Sequence, residues 1–273
     1  MTLPSAQPAP AASVPIVGTV RQAWRLILAF PRQTLLPMFA VEAPVACISA
    51  VITAVLYLTA FHGRDVWLPG DPVAGRGGLV FAYFALAAFE LLFAQVARGA
   101  TVVGVAAARA GRRPPLAELL DPAFTRMGGL LALAIVTYAV LFLGILLSIT
   151  VIGAVIALFV FLRWSVVFEV FMLEDRRVGA SLGESWRLMQ RNMLRYLGVL
   201  LVSFGMALLP LVGISLLQLA VGGGRDTVVI ATAAVTIAQG VLVVPILVFL
   251  TAVTTVFYLN LKERPVDRNP AGE

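Results

Sequence analysis

The sequence predicts an all-α fold, that of a polytopic membrane protein, and three observations carry the prediction. Hydrophobic residues make up 60% of the 273 residues and charged ones only 12%, with a mean hydropathy of +0.98, far outside the range of soluble domains. Six apolar runs are each long enough to cross a hydrocarbon core, which takes about 20 residues of helix. Basic residues are sorted by side: fifteen of the twenty Lys and Arg fall on one side of these runs and three on the other.

In chain order, residues 1–17 carry four prolines and no positive charge, so they read as a disordered cytoplasmic tail rather than a signal peptide. The spans fall at about 35–60, 79–98, 129–148, 152–173, 196–220 and 228–258 within a membrane domain covering 18–262, and 263–273 forms a second cytoplasmic tail. The third and fourth spans share one uncharged run, Gly128 to Leu162. Continued through Leu173 it is about twice the length one helix needs, so a tight hairpin is expected near Ser148 to Gly153. The second run stays apolar past Arg98 to Ala108, which predicts a helix that extends or bends, and Pro245 predicts a tilt or kink in the sixth. Arg21, Arg25 and Arg32 precede the first span, Arg112 and Arg113 follow the second, and Arg176 and Arg177 follow the fourth. The positive-inside rule then makes both termini cytoplasmic and turns His62 to Gly78 and Gly222 to Asp226 outward.

"TVRQAWRLI" from Thr19 and "SLGESWRLM" from Ser181 share a start signal, a Trp-Arg-Leu core and the distance to the next span, and "PLAELL" from Pro115 is a weaker third copy. Thr19 with Gln22 and Ser181 with Glu184 fit a capping box. Leu182, Trp186, Met189 and Met193 fall on one helical face, with Arg187, Arg191 and Arg195 on the other; Val20, Trp24, Ile27 and Pro31 oppose Arg21, Arg25 and Arg32. Such helices lie in the membrane interface, where Trp24 and Trp186 sit at headgroup depth while Arg25, Arg187, Arg191 and Arg195 face phosphates. The chain thus reads as three parallel units, about 18–110, 114–175 and 180–262, each an interfacial helix followed by a two-span hairpin. The plainer alternative is that basic cytoplasmic loops alone produce the likeness.

The pI near 10.2 follows from arginine-rich loops, so no nucleic-acid partner is expected. One cysteine, Cys47, inside an apolar run and read as a small buried hydrophobe, and one histidine, His62, make neither a disulfide nor a conventional zinc or Cys/His site. Hydrolase, nucleotide-loop and dinucleotide motifs are absent from the sequence, and the carboxylates are dispersed, so no catalytic residue, metal site or cofactor is assigned. The unusual residues are charges within spans: Glu42, Glu90, Arg98, Arg163 and Glu169. A charge at the bilayer centre costs on the order of 3 kcal/mol, so these are expected to pair. Counting along the helices sets Glu90 and Arg163 at the same mid-depth as partners, with Arg98, Glu42 and Glu169 in a second layer toward the cytoplasm. One carboxylate is left over, to be protonated or to hold a cation; ion pairs that brace the bundle and an ion pathway are both open.

The stretch "FLRWSVVFEVFMLEDRRVGASLGESWRLMQRNMLRYLGVLL" resembles the membrane domain that precedes the catalytic barrel of some bacterial glycerophosphodiester phosphodiesterases, and its stand-alone relatives. The matching positions are Arg163, Trp164, Glu174, Ser185, Leu188 and Arg195, and "ARAGRRPPLAELL" is similar to the family's connector into its middle unit. The likeness covers roughly Ala94 to Leu201. Glu169 departs from it, standing where an apolar residue or proline is expected. The resemblance implies a membrane fold in the bacterial inner membrane. It implies no phosphodiesterase activity, since the barrel has no counterpart in the sequence. The expected role is non-enzymatic, organising lipid or a soluble partner at the cytoplasmic leaflet with anionic headgroups as ligands; the alternatives are, second, a transporter or channel for a small solute or ion and, third, a lipid-modifying enzyme.

Overall fold

The computed structural model describes residues 16–60, 77–147, 150–221 and 228–263, and its regular structure there is helical throughout. In order the helices are α1 (Ile16–Ala29), α2 (Pro31–Thr34), α3 (Leu36–Ala60), α4 (Gly77–Arg109), α5 (Leu116–Thr125), α6 (Met127–Leu147), α7 (Val151–Arg163), α8 (Val167–Leu173), α9 (Val178–Met189), α10 (Met193–Val221) and α11 (Val228–Lys262). Four stretches are long and apolar enough to cross a membrane: Phe84–Arg109, Met127–Leu147, Val151–Leu173 and Val243–Lys262. Leu36–Ile52 and Met193–Leu208 are apolar but shorter over their described residues.

Helices α4 and α11 form the centre. Helix α3 packs on both, α1 lies against α11 and α10, and α5, α6 and α8 lie against α4. Small residues permit the closeness: Ala100, Gly104 and Ala108 are all buried on α4, and a Cβ on Gly104 would stand 1.9 Å from the Gln33 carbonyl oxygen where α2 crosses. Helix α4 ends in a Schellman motif, Gly111 taking φ +70° while Arg112 N–H reaches Ala107 O at 2.9 Å and Gly111 N–H reaches Ala108 O at 3.0 Å.

Helices α6 and α7 form the outer hairpin. Thr150 caps α7, its Oγ1 accepting from Gly153 N–H at 3.1 Å, and a Cβ on Gly144 would meet Ala157 Cβ at 2.6 Å, so the two helices touch almost backbone to backbone. The fourth apolar run is not one helix. It breaks at Trp164–Val166, where Ser165 Oγ donates to Leu162 O at 2.9 Å, and resumes as α8, which ends with Asp175 in the left-handed region at φ 52°.

Several expectations are corrected. Helix α1 is already running at Ile16, within the expected tail, so Thr19 is an interior residue. Helix α9 starts at Val178 with Arg177 as N-cap, and Ser181 Oγ donates back to Arg177 O, so neither residue closes a capping box. The buried face of α9 is Ser181, Glu184, Ser185 and Met189, and the helix stops before Met193, which opens α10. Helix α1 buries Thr19, Val20, Ala23 and Ile27 against α10 and α11, leaving Trp24 half-exposed and edge-on to Phe249. Cys47 is exposed rather than buried. The loops expected to face outward, apart from 77–78, lie outside the described residues.

Candidate functional site

Two polar assemblies stand out in this apolar bundle. The first is at one end. There the C-terminal ends of α4 and α11 meet the short helices: Arg109 binds Glu263 at 2.5 Å, and Asn260 Nδ2 donates to Gln22 Oε1 at 3.4 Å. Lys262 stands between two carboxylates, 2.6 Å from Glu174 and 3.2 Å from Glu184. Arg176 bridges the same pair at 2.7 and 3.6 Å, Arg187 holds Glu184 at 2.7 Å, and Tyr258 Oη donates to Glu174. Desolvation pushes both carboxyls up, but it is outweighed. Glu174 is held below the usual carboxylate range by hydrogen bonds from Lys262 and Tyr258 and the charges of Lys262 and Arg176. Glu184 is lowered in the same way by hydrogen bonds from Arg187 and Lys262 and their charges. The knot ties α9 and the end of α8 to α11.

The second assembly is a half-open cavity of about 290 Å3 within the bundle. Glu42 of α3, Gln95 and Arg98 of α4, Tyr196 and Ser203 of α10, and Thr251 and Thr254 of α11 supply its polar lining, among mostly apolar neighbours. Tyr138, Phe161, Phe204 and Leu247 line it and are themselves exposed, which marks the side on which it opens. Behind the wall Glu169 is fully buried. Its Oε1 accepts from Thr254 Oγ1 at 2.8 Å and stands 3.9 Å from Arg98 Nη2, whose guanidinium lies 4.1 Å over the Phe168 ring.

Arg98 and Glu169 are therefore brought together, with Glu42 on the same cavity, but Glu90 and Arg163 are not. Glu90 is exposed and makes no ion pair among the described residues. Arg163 turns to α9, donating from Nη1 to Trp186 O at 3.0 Å and lying 4.9 Å and 5.0 Å from the centres of the Trp186 and Phe159 rings. Ser185 Oγ donates to Arg163 O at 2.9 Å, so α9 satisfies a carbonyl freed where α7 ends. Equal depth is an axial coordinate only; the azimuth around the helix sends Arg163 away from Glu90. Of the interfacial residues, Trp24 and Trp186 are partly exposed, Arg25 and Arg191 are exposed, Arg195 is half-buried, and Arg187 is spent on Glu184 rather than free for phosphate. Gln95, Ser203, Thr251 and Thr254 also join the site, although no charge singles them out in the sequence. Their signal is polar residues spaced three or four apart in apolar runs, Gln95 with Arg98 and Thr251 with Thr254.

Among the described residues no group of three or more His, Cys, Asp or Glu is placed to hold a metal ion. No family model, curated protein or solved structure matches the chain.

Proposed function

We propose that the chain is a six-span, non-enzymatic protein of the bacterial inner membrane, related to the phosphodiesterase membrane domain it resembles, that gathers anionic lipid or a soluble partner at the cytoplasmic leaflet. In this reading both termini are cytoplasmic, and α1, α5 and α9 each open one of three parallel units. The order of helices supports it, since each of these short helices precedes a pair of apolar runs. The observation that carries the reading is a surplus of free cation at one end. Among the described residues Arg21, Arg25, Arg32, Arg112, Arg177 and Arg191 are exposed there and make no ion pair, and exposed Glu118 and Asp121 offset only part of that charge. Each basic residue near an anionic surface contributes about 1 kcal/mol, falling with ionic strength.

Arg187 is the wrong residue for a test because Glu184 holds it. Arg21, Arg25 and Arg191 should instead be changed together to Gln, and phosphatidylglycerol retention measured at two salt concentrations. The expected result is weaker retention with a shallower salt dependence. Retention and salt dependence equal to those of the unmodified protein would reduce the arginines to setters of topology.

The cavity favours a second reading, a small-solute or ion transporter. Cysteine accessibility scanning at positions 42, 90, 98, 163 and 169 separates the two, since a pathway makes them reachable from water and a dry brace does not.

A further inference from the structure

The cavity has an unmatched demand that points to one ligand chemistry. Arg98 is committed to Glu169, which leaves Glu42 on the wall with no cation within 4.0 Å among the described residues. A carboxylate on the wall of an apolar bundle without a counter-charge among the described residues calls for a proton or a cation. The orphaned atoms narrow the choice. Gln95 is only 4% exposed and lines the cavity, yet among the described residues its Oε1 has no hydrogen-bond partner; Glu169 Oε2, just behind, has none among them either. Both are acceptors, so the missing group is a donor. Arg98 Nε is an orphaned donor in the same neighbourhood, but it belongs to a side chain already engaged by Glu169 and Phe168. At about 290 Å3 and with mostly apolar walls, the space is far too large for a bare ion. Its exposed rim of Tyr138, Phe161 and Phe204 offers aromatic faces, which attract ammonium groups.

We propose that this cavity binds a primary ammonium carried on an apolar body, with Glu42 as the counter-ion, Gln95 accepting one N–H, and the aromatic rim holding the apolar part. Its polar lining is part of what the transport reading invokes, but binding stands without transport and without the basic face. The ammonium has two possible sources, a free amphiphilic amine or the headgroup of phosphatidylethanolamine.

The test uses the full chain in phosphatidylglycerol nanodiscs, with radiolabelled 4-phenylbutylamine as probe, 4-phenylbutanol as its uncharged counterpart, and empty discs to subtract partition into lipid. Saturable binding of the amine but not the alcohol is expected. Glu42→Gln should weaken it by roughly tenfold or more, the loss of a charged hydrogen bond. Glu42→Asp should restore most of the affinity, Gln95→Leu should weaken it severalfold, and Phe142→Ala on the outer face of the hairpin should leave it unchanged. Should Glu42→Gln not fold, as judged by its elution profile, Gln95→Leu and Tyr138→Leu carry the test. Competition by phosphatidylethanolamine but not phosphatidylcholine in the discs names the lipid as occupant, whereas no competition names a free amine; both support the site. Equal binding of the alcohol, unchanged binding in the folded Glu42→Gln or Gln95→Leu variant, displacement by millimolar sodium or potassium, or no saturable binding would each overturn the proposal.

Discussion

Helix α4 and the α6–α7 hairpin are both apolar enough to span a membrane, yet they are used in opposite ways. Of the most apolar stretch of α4, 61% is buried in the bundle, as is 61% of that of α11; for α6 the share is 22%. The hairpin is nevertheless the more hydrophobic of the two. Leu143, Ile145, Leu146, Val151, Ile152 and Val155 stand exposed on it, whereas the interior of α4 holds Gln95, Arg98, Thr101 and Gly104. Water drives apolar side chains inward, but a lipid solvent removes that drive. What selects the centre is then close packing and the need of polar groups for partners. Within one apolar chain, the less hydrophobic helix is the buried one.

The largest effect expected to test this contrast comes from the Arg98 and Glu169 pair. Arg98→Met should destabilise the protein by about 3–5 kcal/mol, because it leaves a fully buried carboxylate without its cation, and adding Glu169→Leu should recover much of the loss. Unfolding in mixed micelles measures both. If Arg98→Met costs no more than Phe142→Ala on the lipid-facing hairpin, the contrast fails.

Backbone closeness gives an intermediate effect. Gly104→Ala should cost about 1–3 kcal/mol, since its Cβ would run into the Gln33 carbonyl, while Gly128→Ala at the start of α6 meets nothing within 4 Å and should be neutral or slightly stabilising through helix propensity. Equal melting temperatures for the two variants would show that α2 does not hold α4 as closely as described.

The smallest effect is that of acid on the knot at the end of α11. Glu174 and Glu184 are lowered in the folded protein, so their contribution is complete above the ordinary carboxylate value of about 4.5 and is lost as pH falls through the lower folded values. The cations that hold them, Arg176, Arg187 and Lys262, are themselves partly exposed to solvent, and the loss should be modest. Amide exchange followed from pH 7 to pH 3 should accelerate in α9 and the end of α11 but not in α6. Lys262→Met should weaken this acid response, and an unchanged response in that variant would remove the knot as its cause.

Composition and run length made the helical class readable, and the uncharged run from Gly128 announced a hairpin whose helices end at Leu147 and resume at Val151. The charged interior was readable as a list of residues and not as a set of partners. Depth along a span can be counted, but the turn of the helix that aims Arg163 at Trp186 depends on the break at Trp164–Val166, and no glycine or proline marks that break. The amphipathic patterns misled for a related reason. Glu184 looked like a capping residue, yet it is buried because Lys262, 78 residues later, comes back to meet it. Long-range pairing of this kind leaves no periodic trace in a sequence.

The brevity of the α6–α7 connection reaches back to how the chain is made. Residues 148–150 alone separate the two helices, and from Met127 to Leu162 there is no charged side chain. So short a connection cannot wait on the far side of a bilayer while the second helix is still being synthesised at the near side. The two helices are therefore expected to enter as one object, in a single topological event. Because its tip carries no charge, the crossing moves none through the membrane potential, and that step of biogenesis should proceed alike in energised and de-energised cells.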